Sequence, residues 1–281
     1  MISRPTLLVS VSLILSIVTM QASANIVQEV GASYTPTLPV GSPNNTRILD
    51  IDRVDGSTID RAVFARVSDT FYTVESSAGK FGNFGVSGSL VQETGAIAAH
   101  VFIGNGDFKN RTGQPQQATA NFIIDGGFFT LMASPGSTVG YDLKLELNGV
   151  PVFESSAEME TFATSNGFLS NTFTQSGHDI GTTFDGNLSM TIPLSFQSVD
   201  LGLIQINKSF ALSYTFDAYG VTDSFAEEIA FEFSDPLSVE FSENVLLDIT
   251  YSDPVSSVPV PPSFLLMLTG LGFLVSSKKP I

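Results

Sequence analysis

Between Tyr141 and Leu147 the chain alternates strictly: Tyr141, Leu143, Leu145 and Leu147 are apolar, while Asp142, Lys144 and Glu146 are charged. A helix would spread those charges around its axis, whereas a pleated strand sorts them onto opposite faces. Asn148-Gly149 follows directly, two residues that tolerate the positive φ of a tight hairpin turn, and Val150 to Phe153 reads as the returning strand. The same period of two runs through Leu188, Met190, Ile192, Leu194 and Phe196, through Phe210, Leu212, Tyr214 and Phe216, and through Val245, Leu247, Ile249 and Tyr251. Mostly Ser, Thr or Asp stands between the apolar positions, so each strand has one wet and one dry face, as in antiparallel sheets packed face to face. No amphipathic helix longer than a turn or two interrupts the pattern. The chain is therefore expected to be all-β: an antiparallel β-sandwich, jelly-roll-like in type, with short apolar targeting segments at its two ends.

Several local expectations follow from turn chemistry. Asn166-Gly167 marks a second hairpin turn and Asp125-Gly126-Gly127 a third. Pro193 falls on an outward position, which predicts an edge strand or a bulge. Pro36, Pro39 and Pro43 predict an irregular stretch from Asn25 to about Pro43, and Gly104–Gln117 reads as a long exposed loop. Gly82, Gly85 and Gly88 recur at every third residue without the strand-to-helix context of a dinucleotide fingerprint, so they read as a glycine-rich turn or flattened strand. Neither an internal repeat nor a clean boundary divides residues 25–257, which are expected to form one body.

The two ends read as addresses. In residues 1–24, Arg4 supplies positive charge, an apolar run extends from Leu7 to Met20, and Ala22 and Ala24 place small side chains at the −3 and −1 positions of a signal-peptidase site. At the other end, Val258-Pro259-Val260-Pro261-Pro262-Ser263 precedes the 12-residue apolar run Phe264–Val275 and the basic pair Lys278-Lys279. The prolines block helix continuation, and Gly270 and Gly272 would each weaken a core helix by about 1 kcal/mol. Twelve helical residues span about 18 Å, against roughly 30 Å for the hydrocarbon layer, which suits transient membrane contact. Lys278 and Lys279 are expected to stay on the cytoplasmic side, leaving the body exported.

A Pro-x-Pro element, a short glycine-containing apolar helix and a terminal basic cluster together resemble the PEP-CTERM sorting signal recognised by exosortases. The resemblance covers about the last 24 residues. Val258, Pro259 and Pro261 match the family's usual Val-Pro-Glu-Pro, Val260 stands in place of Glu, and Lys278 and Lys279 replace an Arg-rich cluster. The resemblance implies a Gram-negative bacterium, an exosortase-like enzyme acting after signal peptidase, and removal of the tail near the Pro-x-Pro element. It also implies delivery to the cell surface or the surrounding polysaccharide.

Charge narrows the choice of partner. The segments 1–24 and 258–281 contain Arg4, Lys278 and Lys279 but no acid, so the body between them holds 9 basic and 28 acidic side chains, a net of −19. Such a surface repels phosphate backbones and anionic lipid headgroups, which excludes nucleic-acid partners. With no Cys, disulfides, thiolate metal sites, thiol nucleophiles and a lipid-modified cysteine are all excluded. Disorder is excluded as well, because 43% of residues are hydrophobic and 23 are Phe, enough to bury a sizeable core.

Candidate chemistry is sparse. The two histidines, His100 and His178, are 78 positions apart. His178-Asp179 would suit a base beside a carboxylate, but no Gly-x-Ser-x-Gly elbow supplies a nucleophile, so His178 reads as a turn residue. His100, between Ala98-Ala99 and Val101-Phe102, reads as a strand residue with no partner identified by sequence. Paired carboxylates for glycoside hydrolysis can be drawn from 28 acids because their spacing is spatial, although the lack of Trp removes the commonest platform for sugar faces. Asp50-Ile51-Asp52-Arg53-Val54-Asp55-Gly56-Ser57 approaches a Ca²⁺ loop in composition but not in EF-hand spacing, and Arg53 and Arg61 can neutralise the same acids. A charge-paired surface turn is the expected structure there, with no metal or cofactor assigned. The functional expectation is an exported, non-enzymatic structural or adhesive protein associated with extracellular polysaccharide or biofilm. The alternative is an extracellular carbohydrate-active hydrolase using paired carboxylates.

Overall fold

The computed structural model describes residues 26–36, 47–56, 62–79, 84–109, 114–222, 226–235 and 248–252. These residues form strands and no helix. In chain order the strands are β1 (Ile26–Pro36), β2 (Ile48–Gly56), β3 (Val63–Ser68), β4 (Tyr72–Ala78), β5 (Phe84–Val91) and β6 (Gly95–Lys109). Then come β7 (Gln116–Ile124), β8 (Gly126–Ala133), β9 (Thr138–Leu147), β10 (Val150–Ala163), β11 (Leu169–Gly177) and β12 (Thr183–Phe184). The last are β13 (Ser189–Ile192), β14 (Ser195–Ile204), β15 (Ser209–Thr222), β16 (Ala226–Asp235) and β17 (Asp248–Ser252). Sheet 1 runs β11-β10-β9-β15-β6-β1-β2, sheet 2 runs β12-β13-β8-β16-β5-β4-β3, and a smaller sheet 3 runs β14-β7-β17. The pairings are antiparallel, and the sheets pack as the expected β-sandwich.

The alternating segments supply the core. Leu212, Tyr214, Phe216 and Ala218 of β15 are all buried, and Phe216 stacks on Phe233 of the opposing sheet at 4.0 Å between ring centroids. Tyr141 lies beside it at 6.0 Å. Truncating a ring so placed costs about 3–5 kcal/mol, through lost transfer energy and the cavity left behind. On β5, Gly88 sits opposite Phe231 of β16, where an added Cβ would collide with the ring. Gly85 and Gly88 thus belong to a strand, Gly88 making room for an aromatic, while Gly82 lies outside the described residues. Sheet 3 covers another part of sheet 1, with Phe122 meeting Phe153 edge-on at 5.3 Å.

Both Asn-Gly pairs turn hairpins, although Asn148 takes a positive φ and Asn166 does not. Asn148 (φ 53°) and Gly149 (φ 78°) join β9 to β10, and the Asn148 side chain accepts a hydrogen bond from the Ala211 N–H at 2.9 Å, tying the turn to β15. Gly167 (φ 79°) turns β10 into β11.

Side chains stitch the sheets together along both lateral edges. On one side Asp50 and Asp52 of β2 accept the N–H groups of Arg66 and Phe64 on β3, at 2.8 and 3.1 Å. Ser76 of β4 donates to the Gly31 carbonyl on β1 at 2.6 Å, and Gln28 donates to the Gly79 carbonyl at 3.0 Å. On the other side Asn171 of β11 donates to the Leu131 and Asn187 carbonyls at 3.0 and 2.6 Å. Carboxylate and amide groups here take the place of a neighbouring strand, which satisfies edge backbone groups that would otherwise recruit another chain.

Four expectations are corrected. Residues 26–36 are not irregular but form β1, an inner strand of sheet 1; its Gln28 and Glu29 interrupt the apolar pattern, and Pro36 only ends it. Gly104–Gln117 is not one loop, because β6 continues to Lys109 on backbone pairing with β15 and β7 starts at Gln116. Asp125-Gly126-Gly127 is no hairpin, since β7 and β8 belong to different sheets and the chain crosses between them there. Pro193 lies in neither an edge strand nor a bulge but between β13 and β14, breaking the alternation so that Leu194 and Phe196 are exposed.

Candidate functional site

Registration of the strands of sheet 1 assembles a polar surface on its outer face. One row crosses the sheet through Ser156, Asp142, Asp217, His100, Gly31 and Ile51, from β10, β9, β15, β6, β1 and β2 respectively. The next row runs Glu158, Gly140, Tyr219, Ala98, Ser33 and Leu49 over the same strands. A third runs Glu154, Lys144, Thr215, Phe102, Glu29 and Arg53. Alternation decides that these residues face outward, and pairing decides which of them meet.

His100 Nδ1 lies 2.6 Å from Asp217 Oδ1, the partner that sequence did not identify. Asp142 stands directly across from Asp217 on β9. Its side chain remains exposed, yet the surrounding protein, and then the charges of Asp217 and Glu158, push its pKa above the ordinary aspartate value, with Lys144 pulling the other way. The Tyr219 hydroxyl donates to Glu158 at 2.9 Å, and burial followed by the Glu158 charge raises its pKa. Tyr219 lies across Gly140 to make this contact: a Cβ on Gly140 would come within 2.8 Å of the hydroxyl. Lys144 pairs with Glu154 at 3.5 Å.

Both tall side chains are therefore held by acids on or toward β15, β9 and β10. Between His100 and the β2 side chains Leu49 and Ile51 a shallow trough remains, floored by Gly31, Ser33 and Ala98 and bounded by Glu29 and Arg47. The Glu29 carboxylate is held by Arg53 at 2.9 Å, and Arg53 reaches Asp55 at 3.7 Å.

Other sequence candidates take different roles. The segment Asp50–Gly56 is not a surface turn but part of β2, whose alternation aims Asp50 and Asp52 at the edge of β3 and Arg53 at Glu29. No group of three or more acidic or histidine side chains among the described residues is arranged to hold a metal ion. His178 follows β11 in a bend, stacked on Phe153 at 4.5 Å with Nδ1 3.1 Å from the Glu154 carbonyl. Asp179 turns away from it and accepts from the Gly181 N–H and from Gln175. Ala22, Ala24, Val258, Pro259, Pro261, Lys278 and Lys279 lie outside the described residues.

No protein-family description matches the chain, and no curated protein matches it in sequence. Among solved structures, chains from the infectious bursal disease virus Gx and Gt strains are each 11% identical to this one. They cover 89% of this chain and 73% and 72% of their own, with TM-scores of 0.13 and 0.14, a likeness that carries no argument.

Proposed function

We propose that residues 25–257 are the exported body of a surface-sorted or matrix-released protein of a Gram-negative bacterium, with a non-enzymatic structural or adhesive role beside extracellular polysaccharide. Signal peptidase and an exosortase-like enzyme process the two ends, and the apolar tail touches the membrane only in transit. The observation that carries this reading is where the strands fall. The first described strand opens at Ile26, two residues past Ala24, and the last closes at Ser252, six residues before Val258, so both cuts spare every strand described. The acids of sheet 1 are spread over an open sheet face, and several are engaged by His100, Arg53, Lys144 or Tyr219. That arrangement suits a solvated binding surface better than a cleft that excludes water from a reaction.

A second reading as a carbohydrate hydrolase draws on one observation: Asp142, with its raised pKa, faces Asp217 across neighbouring strands. Two carboxyl groups facing each other, one of them holding its proton more tightly, is the kind of pairing that glycoside hydrolysis uses.

Protein released from a Gram-negative host carrying an exosortase tests the main reading. N-terminal sequencing should begin at Asn25, and the intact mass should lack Phe264–Ile281. A chain beginning at Met1, or one that retains the tail after release, would overturn it.

A further inference from the structure

We propose that β11, the edge of sheet 1, pairs with β11 of a second copy of this chain, the two strands running antiparallel across a two-fold axis at Phe173. This goes beyond the reading of the body as polysaccharide-associated and does not depend on it. The strand spans nine residues, pairs with β10 without a register shift, and has no neighbour on its other side among the described residues. It carries neither Pro nor a charged side chain. The other described edges are guarded: β2 by Asp50, Asp52, Arg53 and Asp55, β3 by Arg66, β14 by Asp200 and the register shift beside it, β17 by Asp248, and β12 by its length of two residues. Charges, bulges and shortness are what keep an edge from recruiting another chain. The side-chain amide of Asn171 serves the Leu131 and Asn187 carbonyls and not the backbone edge of its own strand.

Two independent features identify the occupant. Ser170-Asn171-Thr172-Phe173-Thr174-Gln175-Ser176 reads the same in both directions, apart from the exchange of one carboxamide for another. An axis at Phe173 therefore sets Ser170 against Ser176, Asn171 against Gln175 and Thr172 against Thr174 of the second copy. Hydroxyl pairs are favourable cross-strand neighbours, and an isologous contact requires such a self-complementary patch. The second feature is the phase of the ladder. The Thr164 N–H donates to the Phe168 carbonyl and the His178 N–H to the Glu154 carbonyl, so even-numbered residues of β11 exchange bonds with β10 and odd-numbered ones aim their N–H and C=O groups at the open edge. The same axis joins odd to odd, so Leu169, Asn171, Phe173, Gln175 and Gly177 can all exchange bonds with the second copy, about ten in all. An axis displaced by half a residue would pair odd with even and lose them.

Charge sets how tightly the copies hold. Each body carries a net of −19, yet the acids behind this edge, Glu158 and Glu160, stand on β10 across from Thr174 and Thr172. In the pair they are separated from those of the second copy by three strand spacings, about 14 Å, beyond the screening length of about 8 Å at 0.15 M salt. Asp179, nearer the edge, is engaged by Gln175 and the Gly181 N–H.

Sedimentation velocity of the exported protein from about 1 to 200 μM in 0.15 M salt should show a concentration-dependent monomer-dimer equilibrium, shifted toward monomer at about 0.01 M. Gln175→Pro removes an N–H that faces the open edge and no bond to β10, so it should leave monomer at every concentration with an unchanged circular dichroism spectrum. The chain has no cysteine, so introduced thiols report the register. An oxidised equal mixture of Thr172→Cys and Thr174→Cys should yield a disulfide-linked dimer, and neither variant alone should, because opposed residues lie about 4.5–5.5 Å apart and diagonal ones about 7–8 Å. Monomer throughout, a dimer that persists in Gln175→Pro, or cross-linking of either cysteine variant alone as readily as the mixture would overturn the proposal.

Discussion

The outer face of sheet 1 divides into two wings built from similar strands but with opposite electrostatic balance. On β2, β1 and β6, Glu29 has Arg53, Arg47 stands at the trough, and His100 marks the boundary. On β15, β9 and β10, Asp142, Asp217, Glu146, Glu154 and Glu158 stand on strands whose one Lys or Arg is Lys144, paired with Glu154. The first wing pairs its acid with a cation, whereas in the second the surrounding protein, and then the neighbouring carboxylates, make Asp142 hold its proton more tightly. Composition does not separate the two, because the whole body is acidic. Strand register does, by deciding that Asp142 meets Asp217 while Glu29 meets Arg53.

The sharpest way to break the comparison is to remove what both wings rest on. Phe216→Ala deletes a fully buried ring stacked on Phe233, and chemical denaturation should show a loss of about 3–5 kcal/mol. A loss under about 1 kcal/mol would mean that the two sheets do not pack through this residue. Next in size is the edge below the first wing. Asp50→Ala combined with Asp52→Ala removes the acceptors of two β3 N–H groups and should cost about 1 kcal/mol per bond, while Asn at both positions restores much of it. Ca²⁺ and Mg²⁺ at equal concentration should shift the melting temperature equally if these carboxylates serve the backbone. A Ca²⁺-specific rise that disappears in Asp52→Ala would reassign them.

How much of this was legible in the sequence differs between the same two wings. Alternation in Tyr141–Leu147 and Phe210–Phe216, together with Asn148-Gly149, was enough to specify β9, the start of β10, the first part of β15 and the outward aim of Asp142. The strand β1 was hidden because its inward positions include Gln28 and Ala32, which carry little apolar signal, and three prolines nearby suggested a broken chain. Neither wing's contacts were legible, since His100 and Asp217 are 117 positions apart and meet only through the β6–β15 register. The trough was beyond sequence for the same reason: it lies over Gly31 and Ala98, which only strand pairing sets side by side with Leu49, Ile51 and His100.

Smaller effects sharpen the contrast in charge. Because the folded-state pKa of Asp142 is raised, the folded protein holds that proton more tightly than the unfolded chain. The resulting penalty is present at neutral pH and disappears as pH falls through the raised folded value toward the ordinary aspartate range. Asp142→Asn should thus raise the melting temperature at pH 7 by an amount equivalent to a few tenths of a kcal/mol, and leave it nearly unchanged at pH 3. Lys144→Gln should lower it at pH 7, whereas a lowered melting temperature in Asp142→Asn would contradict the crowding. The smallest effect is general: raising salt from about 0.01 M to 0.15 M shortens the screening length from about 30 to 8 Å and should stabilise the body slightly by damping its self-repulsion.

The most direct test of a face that binds rather than cleaves is to incubate the exported protein with acidic and neutral polysaccharides and measure, in the same samples, new reducing ends and co-sedimented protein. The account predicts protein carried down with polysaccharide and no reducing ends above a heat-denatured control. Reducing ends that accumulate with wild-type protein and vanish in Asp142→Asn or Asp217→Asn would contradict it, and would make the second wing an active site.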